Sequence, residues 1–195
     1  MGRGTCLNRE YYSGYTRYYY EDVTVGSRNS IKEHDEDLQI RKEMWNTLVG
    51  DVVVDCGAGF GSYTLLALAN AASFVFAFEQ DPEIASCLRR NLQSNRMLMA
   101  TERATVSVRR LDDSKNTVDK YMEELSYPIT RVDWIKIDVG SIPDTRLVLW
   151  GCQHTIKRFR PQILIADSEP PSVSFLEAYK ITKIINGHSL LLPIR

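Results

Sequence analysis

The amino-acid sequence predicts a doubly wound α/β fold, with a mostly parallel seven-stranded sheet that ends in a C-terminal antiparallel hairpin. Apolar strand-like runs alternate with helical segments between residues 52 and 167, and this alternation requires a parallel sheet with right-handed crossovers and helices on both faces. A glycine-rich segment follows the first strand-like run. The last two strand-like runs flank Asn186-Gly187, a strong hairpin signal because both residues tolerate positive φ.

The N-terminal part divides into an arm and the start of the domain. Residues 1–30 mix tyrosine, glycine, arginine and serine without sustained periodicity, which predicts an irregular, Tyr-rich arm that could hold a short strand. From residue 31 the apolar residues recur at helical spacing, so a helix is expected with Ser30 as its N-cap and Gly50 as its stop. The domain is therefore expected to span residues 31–195.

The remaining elements are bounded by composition. Continuous apolar runs are typical of parallel strands that are buried on both faces, and they lie at residues 52–55, 74–78, 105–109, 132–138 and 162–167. Helices are predicted at 63–71, 82–95, 114–125 and 144–159, with a short helix near 173–179. The hairpin strands are expected at 181–185 and 189–193.

Composition limits the possible partners. The chain has 195 residues with 24 Lys and Arg against 25 Asp and Glu, so its charge provides no global attraction for nucleic acid or anionic lipid. It has no apolar signal region, and no stretch approaches the roughly 18 apolar residues that a membrane span needs. We expect a cytoplasmic protein, monomeric or homodimeric, that acts on a small molecule and has no membrane partner.

The segment from Asp55 to Gly61 is predicted to bind a cofactor. In an open α/β sheet, ligands bind beyond the carboxyl ends of the strands where the strand order reverses, and this segment follows the first strand. Its glycines allow a tight turn and a close approach of the backbone to the ligand. The expected binding residues here are Asp55, Gly57, Ala58, Gly59 and Tyr63.

The chemistry of the loop favours S-adenosylmethionine over a dinucleotide. Ser62 stands where the pattern G-x-G-x-x-G needs its last glycine. Asp55 suits the ammonium group of a methionine moiety, directly or through water, whereas it would repel a pyrophosphate. Glu79, followed by Gln80, closes the second strand, where a carboxylate can accept hydrogen bonds from both ribose hydroxyls of either cofactor.

Carboxylates at other strand ends are further candidates. Asp112 or Asp113 could bind the adenine amino group or could instead cap the helix predicted from Ser114. Asp138 is the leading active-site candidate, for contact with the methionine end, the acceptor or a metal, with a helix N-cap as the alternative. Lys136 shares its face of the strand, and it is either a catalytic base or the partner of an internal carboxylate.

The sequence resembles the FkbM-type methyltransferases, a class I, Rossmann-like family, from about Leu48 to the C-terminus. The resemblance is carried by VVVDCGAGFGSYTLLAL, FAFEQDPEIASCLRRNLQSN, DWIKIDVG and LWGCQHTIKRFRPQILIADSE. It implies transfer of a methyl group to oxygen, typically to hydroxyls of sugars and secondary metabolites. Where the family usually has K-I-D-V-E-G, this chain has Gly140 in place of the glutamate, and Asp144 could partly replace that carboxylate.

Two other functions remain open. The tyrosines and arginines of the arm, with Arg103, Arg109 and Arg110, are compatible with methylation of RNA or another nucleic acid. The altered K-I-D-V-E-G segment is compatible with a nucleoside-binding module that has lost catalysis. Histidines and cysteines do not occur at metal-ligand spacing, so no metal site is expected, although Asp138, Asp167 and Glu169 end neighbouring strands and could together hold a magnesium ion.

Overall fold

The computed structural model describes residues 9–13, 16–20, 40, 43–95 and 101–194. Within the N-terminal arm, strands β1 (Arg9–Ser13) and β2 (Thr16–Tyr20) pair antiparallel as a small hairpin. This pairing gives part of the arm a regular backbone.

The helix predicted between Ser30 and Gly50 lies largely outside the described residues. Ile40 and Glu43 are helical, but the chain leaves the helix at Met44, so the expected stop at Gly50 is wrong. The reason is Trp45, which is buried against Trp134 with a ring-centroid distance of 4.9 Å. The segment after Met44 therefore places Trp45 in the core without regular secondary structure, instead of continuing a surface helix.

The seven-stranded sheet has the predicted architecture. Its order is β5-β4-β3-β6-β7-β9-β8, and the first five strands in this order are parallel, whereas β9 runs antiparallel to both β7 and β8. The doubly wound fold with a C-terminal antiparallel hairpin is thus confirmed. The strands are β3 (Val52–Cys56), β4 (Phe74–Glu79), β5 (Ala104–Val108), β6 (Trp134–Ile137), β7 (Gln162–Ile165), β8 (Tyr179–Ile185) and β9 (His188–Pro193).

Helices connect the parallel strands. They are α1 (Ser62–Ala69), α2 (Pro82–Ser94), α3 (Val118–Glu123), α4 (Ile142–Gly151) and α5 (Gln153–Phe159), and a 3₁₀ helix (Ser174–Ala178) precedes β8. None of the helices within the described ranges is long and apolar enough to cross a membrane.

The largest differences from the predicted helices concern two segments. The helix expected from Ser114 begins only at Val118, because Thr117 caps it and the preceding turn is fastened to Asp112. The single helix expected over residues 144–159 is broken at Cys152 into α4 and α5. The carboxylate of Asp119 accepts the first N–H groups of α5, and these groups therefore cannot donate to carbonyls of α4.

The core lies on both faces of the sheet because successive residues of each strand point to opposite sides. One cluster packs against α3, α4 and α5, and the other packs against α1, α2 and Trp45. Each cluster takes alternate residues of the central strands. The first contains Val54, Phe76, Ile135 and Ile163, and the second contains Val53, Val75, Trp134 and Leu164.

Candidate functional site

A cavity of about 250 Å³ opens at the carboxyl ends of the parallel strands. It lies where the strand order reverses: β4 is the neighbour of β3 on one side, and β6 is its neighbour on the other. This is the position at which open α/β sheets bind ligands. The cavity is lined by Gly57, Phe78, Glu79, Gln80, Arg109, Arg110, Leu111, Asp138, Val139, Gly140 and Asp144.

The glycine loop is pressed against the exit of β6. Gly57 has a φ of 74°, and a Cβ atom built on it would lie 1.9 Å from the carbonyl oxygen of Asp138. The N–H groups of Gly57 and Ala58 both donate to the carbonyl of Phe78, each at 2.9 Å. The loop is therefore held between the ends of β4 and β6, and only glycine fits at position 57.

Glu79 is the last residue of β4 and is 7% exposed. One carboxylate oxygen accepts the N–H of Gly59 at 2.9 Å, and the other accepts the N–H of Asp81 at 2.9 Å. Each oxygen has a second lone pair that can accept from a ligand. Glu79 is thus fixed in orientation at the cavity wall and remains able to bind hydroxyl groups.

Asp55 lies behind the loop and does not line the cavity. It is fully buried, and its Oδ2 accepts the hydroxyl of Thr64 at 2.6 Å. Its Oδ1 lies 3.4 Å from Nζ of Lys136, because the two residues are direct neighbours in the pairing of β3 with β6. The carboxylate is therefore hydrogen-bonded through Oδ2, whereas Oδ1 accepts no hydrogen bond and is compensated by the ion pair with Lys136.

Lys136 connects this buried carboxylate to the cavity. Its Nζ donates to the carbonyl of Gly57 at 2.7 Å and lies 3.5 Å from Oδ2 of Asp138. The ammonium also lies 4.9 Å from the ring centroid of Tyr63, close enough for a cation–π contact. Of these residues only Gly57 and Asp138 line the cavity, and the side chain of Asp138 is 46% exposed.

The opposite wall carries an ion pair that the sequence did not indicate. Arg110, just after β5, contacts Asp144 in the first turn of α4 at 2.8 Å. The hydroxyl of Ser141 and the guanidinium of Arg110 hold the pKa of Asp144 below its usual range. Asp144, considered above as a substitute for the missing glutamate, thus does reach the cavity.

Asp112 has its oxygens engaged in a turn. Its Oδ1 accepts the N–H groups of Ser114, Lys115 and Asn116 at 2.7 to 2.9 Å. Desolvation raises the pKa of Asp112, but these hydrogen bonds together lower it by more, so it lies below its usual value. Asp112 does not line the cavity, so the structure shows a turn-capping role, and the contact with adenine stays a prediction.

The structure brings some predicted residues together and not others. Gly57, Glu79, Gln80 and Asp138 share the cavity, whereas Asp55, Ala58, Gly59, Tyr63, Lys136 and Asp112 lie outside its lining. Sequence reasoning did not assign Phe78, Leu111 or Val139 to the site, although each adjoins a predicted strand end, which is a usable signal. Within the part of the chain that the structure describes, no three His, Cys, Asp or Glu side chains form a group that could hold a metal ion.

Comparisons with known proteins identify the fold. No family model matches the sequence, and no curated protein matches it. Among solved structures, methyltransferase FkbM from Methylobacillus flagellatus KT is similar with a TM-score of 0.56 and 16% identity, over 73% of this chain and 43% of that one. Fibrillarin from Aeropyrum pernix, in complex with S-adenosyl-L-methionine, is similar with a TM-score of 0.55 and 12% identity. The similarity covers 82% of this chain and 73% of the fibrillarin chain. Precorrin-6y C5,15-methyltransferase from Geobacter metallireducens GS-15 is similar with a TM-score of 0.50 and 18% identity. The similarity covers 81% of this chain and 85% of that chain.

These structures share the arrangement described above, so the chain has the Rossmann-like fold found in methyltransferases. It spans less than half of the FkbM structure that it resembles. At such low identities the comparison defines the fold, and the FkbM family in particular stays a prediction.

Proposed function

We propose that the chain is an S-adenosylmethionine-dependent methyltransferase that binds its methyl donor in the cavity beyond β3, β4 and β6. The observation that carries this proposal is Glu79, a carboxylate fixed at the cavity wall by two backbone N–H groups. A nucleoside ribose offers two adjacent hydroxyls, which match two carboxylate oxygens that each have a lone pair left. The same fold in fibrillarin binds S-adenosyl-L-methionine, and this supports the assignment.

The residues of the cavity fit the rest of the donor. Phe78 and Leu111 are apolar residues of the cavity lining, which suits an adenine ring. Asp138 provides a carboxylate at the end of β6, which suits the positively charged methionine end. The bound donor would supply a methyl carbon attached to a positively charged sulfur, so the protein mainly has to hold an acceptor in line with that bond.

We further propose that the acceptor is a hydroxyl group on a sugar or other small metabolite. Such a hydroxyl is a weak nucleophile until its proton is taken up. Asp138, which follows β6, lines the cavity. Its partly exposed carboxylate can accept this proton. A bound donor would supply the methyl carbon for the acceptor oxygen, with the carbon–sulfur electron pair remaining on sulfur, so the task left to this chain's own residues is to take up the hydroxyl proton.

A nucleic-acid acceptor is a second candidate. Arg109 and Arg110 both line the cavity, and arginines at this edge could contact phosphates. Against it, the guanidinium of Arg110 is paired with Asp144, and the chain has a net charge of only −1. Turnover of methyl donor with panels of sugars, metabolites and RNA separates the two acceptors, and turnover with RNA alone would reject the hydroxylated metabolite.

Calorimetric titration with S-adenosylhomocysteine tests the donor site. The substitution Glu79→Gln should weaken binding by about 1 to 3 kcal/mol, because it removes a charge-assisted acceptor of hydroxyl groups. Glu83→Gln is the matched control, since it makes the same charge change at an exposed position in the first turn of α2. Equal affinity of the Glu79 variant and the wild type would refute the assignment, as would binding of a nicotinamide dinucleotide in preference to S-adenosylhomocysteine.

A further inference from the structure

Lys136 is a buried lysine whose ammonium lies beneath the glycine loop, residues 55–61, and contacts it at Gly57. We infer that Lys136 is a positioning residue, which holds the Gly57 peptide and Asp138 in the geometry that binds the methyl donor, and that it is not the general base of the transfer. The inference rests on the proposed function, because it concerns the same cavity.

The surroundings of Lys136 do not suit a base. A general base needs a free lone pair within hydrogen-bond reach of the acceptor proton. The side chain of Lys136 is only 4% exposed and does not line the cavity. Its ammonium donates a hydrogen bond to the carbonyl of Gly57 and forms ion pairs with Asp55 and Asp138, so it is held in its charged form by these oxygens.

The same contacts do suit a role in positioning. The hydrogen bond to the Gly57 carbonyl fixes one side of the loop, and the N–H of Gly57 is held by Phe78 on the other side. The ion pair with Asp138 restrains a carboxylate that faces the cavity. Lys136 therefore connects the end of β3 to the end of β6 through Gly57 and Asp138, two of the residues that line the cavity.

The charge of this cluster also favours the donor. Asp55, Lys136 and Asp138 together carry a formal charge of −1, and Asp138 is the member that reaches the cavity. A methyl donor with a sulfonium and an ammonium group would meet a negative wall whose position is fixed by Lys136. Because the side chain of Asp138 is 46% exposed, water weakens this attraction, and the fixed position of the carboxylate matters more than the strength of its charge.

A double variant separates geometry from charge. Lys136→Met alone would leave Asp55 buried without its ion pair, which typically costs several kcal/mol. In the double variant D55N/K136M the cluster keeps its formal charge of −1, now on Asp138 alone, but the link to Gly57 is lost. We expect its Kd for S-adenosylhomocysteine in calorimetry to rise about tenfold or more, the effect of a lost hydrogen bond from a charged donor.

The matched control is Asp119→Asn. Asp119 is also a buried carboxylate, 8% exposed, but its bonds go to the start of α5 and it lies outside the cavity lining. This variant should lose stability without a change in Kd, and thus it shows whether destabilisation alone weakens binding. If D55N/K136M does not fold in a denaturation experiment, D55N/K136Q replaces it, because two amides can hydrogen-bond to each other.

The outcomes distinguish the alternatives. An unchanged Kd in the folded double variant would overturn the positioning role. A general base would show the same unchanged Kd together with a collapse of kcat, whereas a positioning residue raises the donor KM more than it lowers kcat. If the wild-type chain itself fails to bind S-adenosylhomocysteine, the proposed function has failed, and this result differs from a wild type that binds and a variant that binds equally well.

Discussion

The substitution Gly57→Ala tests the geometry of the glycine loop most directly. The added Cβ would lie 1.9 Å from the carbonyl oxygen of Asp138 and 2.7 Å from its carbonyl carbon. Both are backbone atoms, so no side chain can rotate away to make room. Either the loop or the exit of β6 has to move.

The cost can be worked out from three contributions. A non-glycine residue at positive φ costs about 1 to 2 kcal/mol. Movement of the loop breaks the hydrogen bond from Lys136 to the Gly57 carbonyl, and it weakens the bonds from Gly57 and Ala58 to Phe78. With about 1 kcal/mol for each hydrogen bond, we expect a loss of at least about 3 kcal/mol in the free energy of unfolding.

Gly59→Ala is the matched comparison. Gly59 also has a positive φ, 55°, but a Cβ atom there would have no heavy atom within 4 Å. It should therefore carry only the conformational cost of about 1 to 2 kcal/mol. The two variants differ mainly in the clash with Asp138.

Urea denaturation measured by circular dichroism gives both free energies, and calorimetry with S-adenosylhomocysteine gives the effect on binding. Gly57→Ala should be less stable than Gly59→Ala and should bind the ligand more weakly than the wild type. Equal stability of the two variants would refute the close approach of the loop to β6.

Two further predictions concern carboxylates outside the cavity. Asp119→Asn should lower the free energy of unfolding by about 2 kcal/mol, because the buried N–H groups of His154 and Thr155 lose a charged acceptor; a midpoint in urea equal to that of the wild type would contradict this. Asp112 has a pKa below its usual value of 3.8 in the folded state, so its contribution to stability is present above that value and is lost as the pH falls through the lowered folded-state pKa. The difference in unfolding free energy between the wild type and Asp112→Asn should therefore shrink on acidification, and a difference that grows would reverse the sign of this argument.

The sequence predicted the fold class because its signals are local. Apolar runs, glycine turns and the Asn186-Gly187 pair each specify a strand or a connection within a few residues. The break between α4 and α5 could not be predicted in this way, since its cause is Asp119, which contacts His154 across 35 positions of sequence. The early end of the first helix has a similar origin in the packing of Trp45 on Trp134.

The site was predictable in its positions and less so in its contacts. Strand ends identified Glu79 and Asp138 as facing a ligand, and the period of two along a strand placed Lys136 and Asp138 on one face. The pairing of Asp55 with Lys136 depends on the register of β3 against β6, which two separate buried strands do not reveal in their sequences. Burial then decides that Asp138 reaches the cavity and that Lys136 lies below it.

The cavity wall combines segments that lie far apart along the chain, near residues 57, 79, 110 and 140. No shorter stretch of the polypeptide contains all of these residues, so the cavity forms only after the central parallel strands have assembled. During synthesis the cavity would be absent until Asp144, the last of its lining residues along the chain, had left the ribosome. A ligand in this cavity would therefore stabilise the sheet after it has formed and would not direct its formation.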